Sequence, residues 1–209
     1  MNELYDRFAG VFEDYAARYR RIFRLLYPAK NSTGFTERNM SVNFSAAYEA
    51  ENPEAASWFE YQFGAGNREH YDAVIVNPGA REILLIEAKR LKSAGGALMS
   101  AIEKDVRRIN SARKGCADDF GPERIAMFTD CSVYGVILAD VWTETGAKKS
   151  FLDEFKACTF VESRLRGVPP SELPGLTYFN AGFAGCPVLH GGGAVPESYN
   201  LLALIWSVL

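Results

Sequence analysis

HYDAVIVNPGAREILLIEAKRLK, residues 70–92, is the stretch on which the fold turns. Two apolar runs flank Asn77-Pro78-Gly79-Ala80, and a Pro-Gly pair behind an asparagine has the chemistry of a chain reversal. The stretch therefore predicts two antiparallel strands joined by a tight turn. Asp72 lies near the start of the first strand, and Glu87-Ala88-Lys89 ends the second. Glu87 interrupts the apolar run that begins at Ile83, where an unpaired charge is costly.

Side chains alternate along a strand, so Glu87 and Lys89 share a face with Arg81, Ile83 and Leu85. With Asn77 opposite Ala80, Asp72 faces Leu85 and His70 faces Glu87. Asp72 is then a diagonal neighbour of Glu87, on the same face as Lys89. A slip of one residue would send Asp72 to the other face. Two carboxylates pressed together in a partly buried place share a proton or bind a cation. Oxygen donors of this type suit Mg2+ or Mn2+. Asp72 and Glu87 are thus metal-ligand candidates, with the Ala88 carbonyl completing the set. Lys89 is placed to orient a nucleophilic water or to neutralise charge on a phosphate. The plain alternative is a salt bridge between Glu87 and a neighbouring lysine.

Working outward from the hairpin, Leu4, Phe8, Val11, Phe12, Tyr15, Tyr19, Ile22, Phe23 and Leu26 recur at steps of three and four, which predicts an amphipathic helix over 3–27 ended by Pro28. Thr36 is positioned to cap a second helix running to about Ala50, with Glu37 in its first turn. Ser57–Phe63 alternates as a half-buried strand does. Downstream, Leu98–Ala112 predicts a helix with Leu98, Ile102, Val106 and Ile109 toward the core, Val133–Trp142 a central strand, and Lys149–Leu165 a further helix. From Gly167 the signal weakens into an irregular tail punctuated by prolines 169, 170 and 174. Asn200–Leu209 reads equally as a final strand or a buried helix.

At 209 residues and 48% hydrophobic, the chain is long and apolar enough to fill one core. Its net charge of -3 argues against tight, non-specific binding of nucleic acid by the whole surface. The segment from Arg81 to Lys114 nevertheless holds nine Lys/Arg against four Asp/Glu, a basic sector beside the hairpin. The four cysteines form no CxxC pair, which argues against a zinc site and for reduced thiols in the cytoplasm. No basic-then-apolar leader pattern stands at the N-terminus, and no apolar run approaches the roughly 20 residues that span a bilayer. His190-Gly191-Gly192-Gly193 is similar to the oxyanion loop of some esterases, but the chain has no GxSxG turn to go with it. P-loop, GxGxxG and HExxH patterns are absent.

Helix, three-strand meander with Asp72 and Glu87-Ala88-Lys89, helix, strand: over about residues 36–142 this order resembles the core of the PD-(D/E)XK nuclease superfamily, which includes restriction endonucleases, Holliday-junction resolvases and RecB-like nucleases. The resemblance implies an α/β fold with an αβββαβ core, a mixed sheet flanked by helices. An N-terminal helix and loop (1–34) would precede that core (35–166), and an irregular extension (167–209) would pack on it. It implies a Mg2+- or Mn2+-dependent hydrolase of phosphodiester bonds, acting on DNA or, alternatively, RNA. Asp72, Glu87 and Ala88 would be metal ligands and Lys89 the catalytic lysine, with Glu37 as the extra helix acid and Glu49 as its runner-up. Tyr71 stands where the motif's proline would be. Lys104, Arg108, Arg90 and Lys92 are the candidates for contact with the nucleic acid, and a homodimer is the assembly common among double-strand cutters of this type. A non-catalytic module on the same core, binding nucleic acid or a protein, is the alternative.

Overall fold

Two helices pack on one face of a six-stranded sheet and three on the other, because each strand near the middle carries apolar side chains on both faces. The computed structural model describes residues 3–26, 36–62, 70–91, 96–119, 130–143, 146–183 and 199–208. The helices are α1 (Glu3–Leu25), α2 (Glu37–Glu51), α3 (Gly96–Asp119), α4 (Gly146–Lys156) and α5 (Phe160–Arg164). The strands are β1 (Ala56–Gln62), β2 (His70–Asn77), β3 (Glu82–Leu91), β4 (Ser132–Trp142), β5 (Thr177–Gly182) and β6 (Tyr199–Val208). Their order across the sheet is β1-β2-β3-β4-β6-β5. The first three are antiparallel, β4 runs parallel to β3, and β6 is antiparallel to both β4 and β5. The fold is therefore α/β with a mixed sheet flanked by helices.

On one face, Phe8, Phe12, Tyr15 and Phe23 of α1 and Phe44 and Tyr48 of α2 close over Ile75, Leu84, Ile86 and Leu138. Thr36 caps α2 as its sequence predicts, its hydroxyl accepting the Asn39 N–H at 3.1 Å. On the other face, Ile102, Val106 and Ile109 of α3 cover Ile83, Leu85 and Ile137. Helix α3 is tied to the sheet by Trp206, whose ring N–H donates to Asn110 Oδ1 at 2.8 Å. Trp206 lies against Gly135, its partner on β4, and leaves no room there for a Cβ.

Three sequence expectations are corrected, and one left open is decided. The first is the hairpin register. Asn77 pairs with Glu82, not Ala80, and Ala73 with Ile86. The reversal takes Pro78–Arg81 instead of two residues, because Asn77 Oδ1 accepts the Ala80 N–H and Arg81 adopts a left-handed φ of 56°. The ladder is displaced by two residues, an even step that keeps each strand's faces. Secondly, the helix expected over Lys149–Leu165 is two helices. Cys158 has φ 58°, its N–H reaches the Phe155 carbonyl and the Thr159 N–H reaches that of Glu154, which is a Schellman stop built on a cysteine. Thirdly, the stretch expected to be an irregular extension supplies β5 and β6. Of the two readings open for the segment after Tyr199, the strand is the one found: β6 lies inside the sheet, buried on both faces, which is why its apolar run shows no alternation.

Candidate active site

Strand β3 carries the first three groups. Its odd positions face α3, so Ile83 and Leu85 join that core and Glu87 and Lys89 follow them toward its end. Glu87 and Asp105 are both deeply buried. Asp105 sits in the apolar stripe of α3, three residues after Ile102 and four before Ile109, so the helix period aims it at the strand. Arg108 lies one turn further on.

The four side chains close a ring of alternating charge. Lys89 Nζ lies 3.3 Å from Glu87 Oε2 and 2.8 Å from Asp105 Oδ2. Arg108 Nη2 lies 3.0 Å from Asp105 Oδ1 and completes the ring by donating to Glu87 Oε1. The Arg108 guanidinium also sits over the Tyr71 ring, 5.1 Å from its centroid, and the Tyr71 hydroxyl donates to the Arg108 carbonyl at 3.3 Å.

Asp72 reaches the same place by another route. Tyr71 and Val74 both pack in the α3-side core, so strict alternation is interrupted between them. The ladder stops at Ala73↔Ile86, and the Ala88 N–H donates instead to Asp72 Oδ2 at 2.7 Å. Of the Glu-Ala-Lys triplet, the middle residue thus faces Asp72 with its N–H. Continuing the register sets Asp72 across from Glu87, closer than the diagonal the sequence predicts. His70, expected to face Glu87, instead pairs with Gln62 and joins Glu60 at 2.6 Å.

Asp72 and Glu87 hold their protons more tightly than ordinary carboxyls do. Burial, then Asp105, then Asp72 push the Glu87 carboxyl up to about 7, against Lys89 and Arg108. Burial also raises Asp72, opposed by the Ala88 N–H and Lys89. For Lys89, burial pulls the ammonium down, and Asp105, Glu87 and Asp72 together outweigh it and raise it.

Glu37 arrives from the other face. Its Oε1 accepts the Arg90 N–H at 3.2 Å, one residue beyond Lys89, and its charge is felt by Asp72. Glu49 lies at the opposite end of α2, beside Asn52, and Asn52 belongs to the hairpin base. Arg90 points toward the α1 face, where its Nε is 3.7 Å from Asp140 Oδ1. Arg108 belongs to the Glu87 ring, and Lys104 is exposed on α3. Lys92 and the His190–Gly193 loop lie outside the described residues.

Asp105 escaped the sequence reading. The signal was present: an acid in line with Ile102 and Ile109 on the side of the helix that faces the core. Among the described residues, no three His, Cys, Asp or Glu side chains are arranged to hold a metal ion. The carboxylate oxygens of Glu87 and Asp105 face Lys89 and Arg108 instead. No helix among the described residues is long and apolar enough to cross a membrane. No protein-family model, curated protein or solved structure matches the chain.

Proposed function

We propose that the chain is a metal-dependent nuclease with a restriction endonuclease-like core, hydrolysing phosphodiester bonds of DNA. The observation that carries this reading is the Asp72–Ala88 hydrogen bond, which draws the acid of β2 onto the Glu-Ala-Lys end of β3. The succession α2-β1-β2-β3-α3-β4, with three antiparallel strands and a fourth parallel to the third, is in keeping with an αβββαβ core.

What supports a hard divalent cation here is the charge of the acids, not their present arrangement. Asp72, Glu87 and Asp105 bring more negative charge to a buried place than Lys89 and Arg108 balance, and burial, then Asp105 and Asp72, raises the Glu87 carboxyl. Asp72 and Glu87 are the residues that would hold Mg2+ or Mn2+, and such an ion supplies neutralisation of the phosphoryl oxygens. Lys89 keeps its proton and sets a positive charge beside the scissile phosphate, where it orients the attacking water. Asp105 fixes the Lys89 ammonium at 2.8 Å and so positions it. Glu37 adds an acid from the opposite face at the same strand end.

The test is direct. Purified protein with Mg2+ or Mn2+ should cut DNA, and Asp72→Asn should lose the cutting while keeping its circular dichroism spectrum. A wild-type protein that leaves duplex DNA, single-stranded DNA and RNA whole with either metal breaks the reading. One observation favours a non-catalytic module instead: both oxygens of Glu87 already have cationic partners. That alternative requires calorimetric titration with Mn2+ to give no binding heat.

A further inference from the structure

Charge is sorted along α1. Its acids, Glu3, Asp6, Glu13 and Asp14, lie in the first half, and Arg18, Arg20, Arg21 and Arg24 in the second. No acid stands between Asp14 and Glu37. A helix C-terminus favours a basic residue in its last turn, which accounts for Arg24 alone. The fold carries all four arginines to the end of the sheet that holds Lys89. Helix α1 starts at the opposite end, where Arg7 meets Glu82 and Phe8 meets Tyr134 edge-on at 5.2 Å. It ends over Tyr199, which Phe23 meets at 5.0 Å and Tyr19 at 6.4 Å. Tyr199 pairs with Trp142 at the end of β4, and its hydroxyl reaches Asp140, the ladder partner of Arg90. Tyr19 and Phe23 are buried, so the helix period fans the arginines across the outer side of α1. Arg18 leans toward Asp14, 3.9 Å away, and Arg20 lies over Phe183 at 5.7 Å. Arg21 and Arg24 are exposed and, among the described residues, have no acid to pair with.

We infer that the last two turns of α1 are a docking surface for the phosphodiester backbone of the nucleic acid, with Arg21 and Arg24 each taking a phosphate. The inference rests on the nuclease reading of the site. Unopposed positive charge calls for an anionic partner. Guanidinium at all four positions calls for phosphate, since its planar fork pairs with phosphate oxygens through two parallel hydrogen bonds. The rise from Arg18 to Arg24 is about 9 Å, the axial length of about three phosphates of one strand. The arginines lie on the α1 face and Lys89 on the α3 face, so a strand passing the end of the sheet is met from both. Leu25 and Leu26 are exposed beside the arginines, which makes an anionic membrane the rival occupant. The shared sheet end with Lys89 favours the nucleic acid.

The experiment measures binding of the full chain to a fluorescein-labelled DNA duplex by anisotropy, in EDTA so that nothing is cut, over a range of salt. Arg21→Gln with Arg24→Gln should bind about tenfold more weakly than wild type or worse, and the slope of log affinity against log salt should fall by about two. Lys149→Gln with Lys156→Gln removes the same charge from exposed positions of α4, on the other face, and should bind as wild type does. Wild-type affinity and slope in the arginine variant, or equal weakening in the α4 variant, overturn the surface and leave the nuclease reading standing. A wild-type protein that does not bind DNA overturns the surface too, and cleavage with Mg2+ or Mn2+ then decides the nuclease reading by itself. Binding to phosphatidylglycerol vesicles that is lost in the arginine variant, with DNA binding unchanged, assigns the arginines to a membrane and overturns the proposal. Should the arginine variant not fold, phenylglyoxal modification of the wild-type protein, read by mass spectrometry, decides. DNA should shield Arg21 and Arg24 from the reagent, and undiminished modification overturns the inference.

Discussion

Strand β3 buries two glutamates, Glu82 at its start and Glu87 near its end, and their surroundings differ in kind. Glu82 is met by a matched set. Arg7 donates to it twice, at 2.9 and 2.7 Å, and the Tyr48 hydroxyl donates at 2.6 Å. Asn77 Nδ2 then donates to both the Tyr48 oxygen and Asn52 Oδ1, each at 3.1 Å. One acid, one base and neutral donors make a brace that pins α1 and α2 to the hairpin base. Glu87 has two bases, but two further acids crowd it, and its carboxyl is held up at about 7. The difference separates a satisfied buried charge from a place with carboxylate to spare. Burial is common to both. The surplus of acids belongs to Glu87 alone, and that surplus suits a site better than a strut does.

Lys89→Ala tests the contrast most severely. Metal-dependent cleavage should fall by about a thousandfold or more while the fold is kept, which a nuclease assay beside circular dichroism checks. Cleavage that survives would return the Glu87 ring to the same class as the Glu82 brace.

Asp140 asks whether burial alone can imitate the Glu87 effect. This acid of β4 faces Arg90 and the Tyr199 hydroxyl, with Tyr19 and Glu37 nearby. Burial, opposed by Arg90 and Tyr199, holds it up at about 6, against 3.8 for an ordinary aspartate. The folded chain thus binds this proton more tightly than the unfolded chain. The resulting stabilisation is complete below the unfolded pKa and is lost as pH rises to about 6. Urea denaturation over that window should show wild type losing on the order of 3 kcal/mol relative to Asp140→Asn. Parallel curves for the two proteins would remove burial as the cause.

Arg7→Ala probes the other member of the comparison. Arg7 is partly exposed, so the loss should be about 2 kcal/mol in urea denaturation, with cleavage by the folded protein unchanged. The smallest effect separates the two ends of α2. Glu37→Gln should slow cleavage by about tenfold, whereas Glu49→Gln should leave the rate as it is.

The hairpin, α1, α2 and β4 were readable because alternation and the helical period are written in their apolar residues. The register was not, because the reversal takes in Arg81 at a left-handed φ of 56°, a conformation for which an arginine gives no signal. The break after α4 was hidden for the same reason, since Cys158 stands where glycine usually would. Asp72, Glu87 and Lys89 could be grouped from the hairpin alone, since a displacement by two residues spares the faces. Asp105 and Arg108 could not be added, because their meeting with β3 depends on how α3 returns across the sheet. Nothing local to residues 96–119 states that path. Strand β5 was missed because a short segment ending in Asn-Ala-Gly carries turn chemistry as readily as strand chemistry.

The four-residue reversal at Pro78–Arg81 has one more consequence. Strands β2 and β3 are each held to their faces by buried apolar side chains, and residues opposed in the ladder share a face whatever the length of the connector. The pairing of Asn77 with Glu82 is therefore set by the strands and not by the loop. A two-residue turn in place of Pro78–Arg81 should keep that pairing and leave Asp72 beside Glu87.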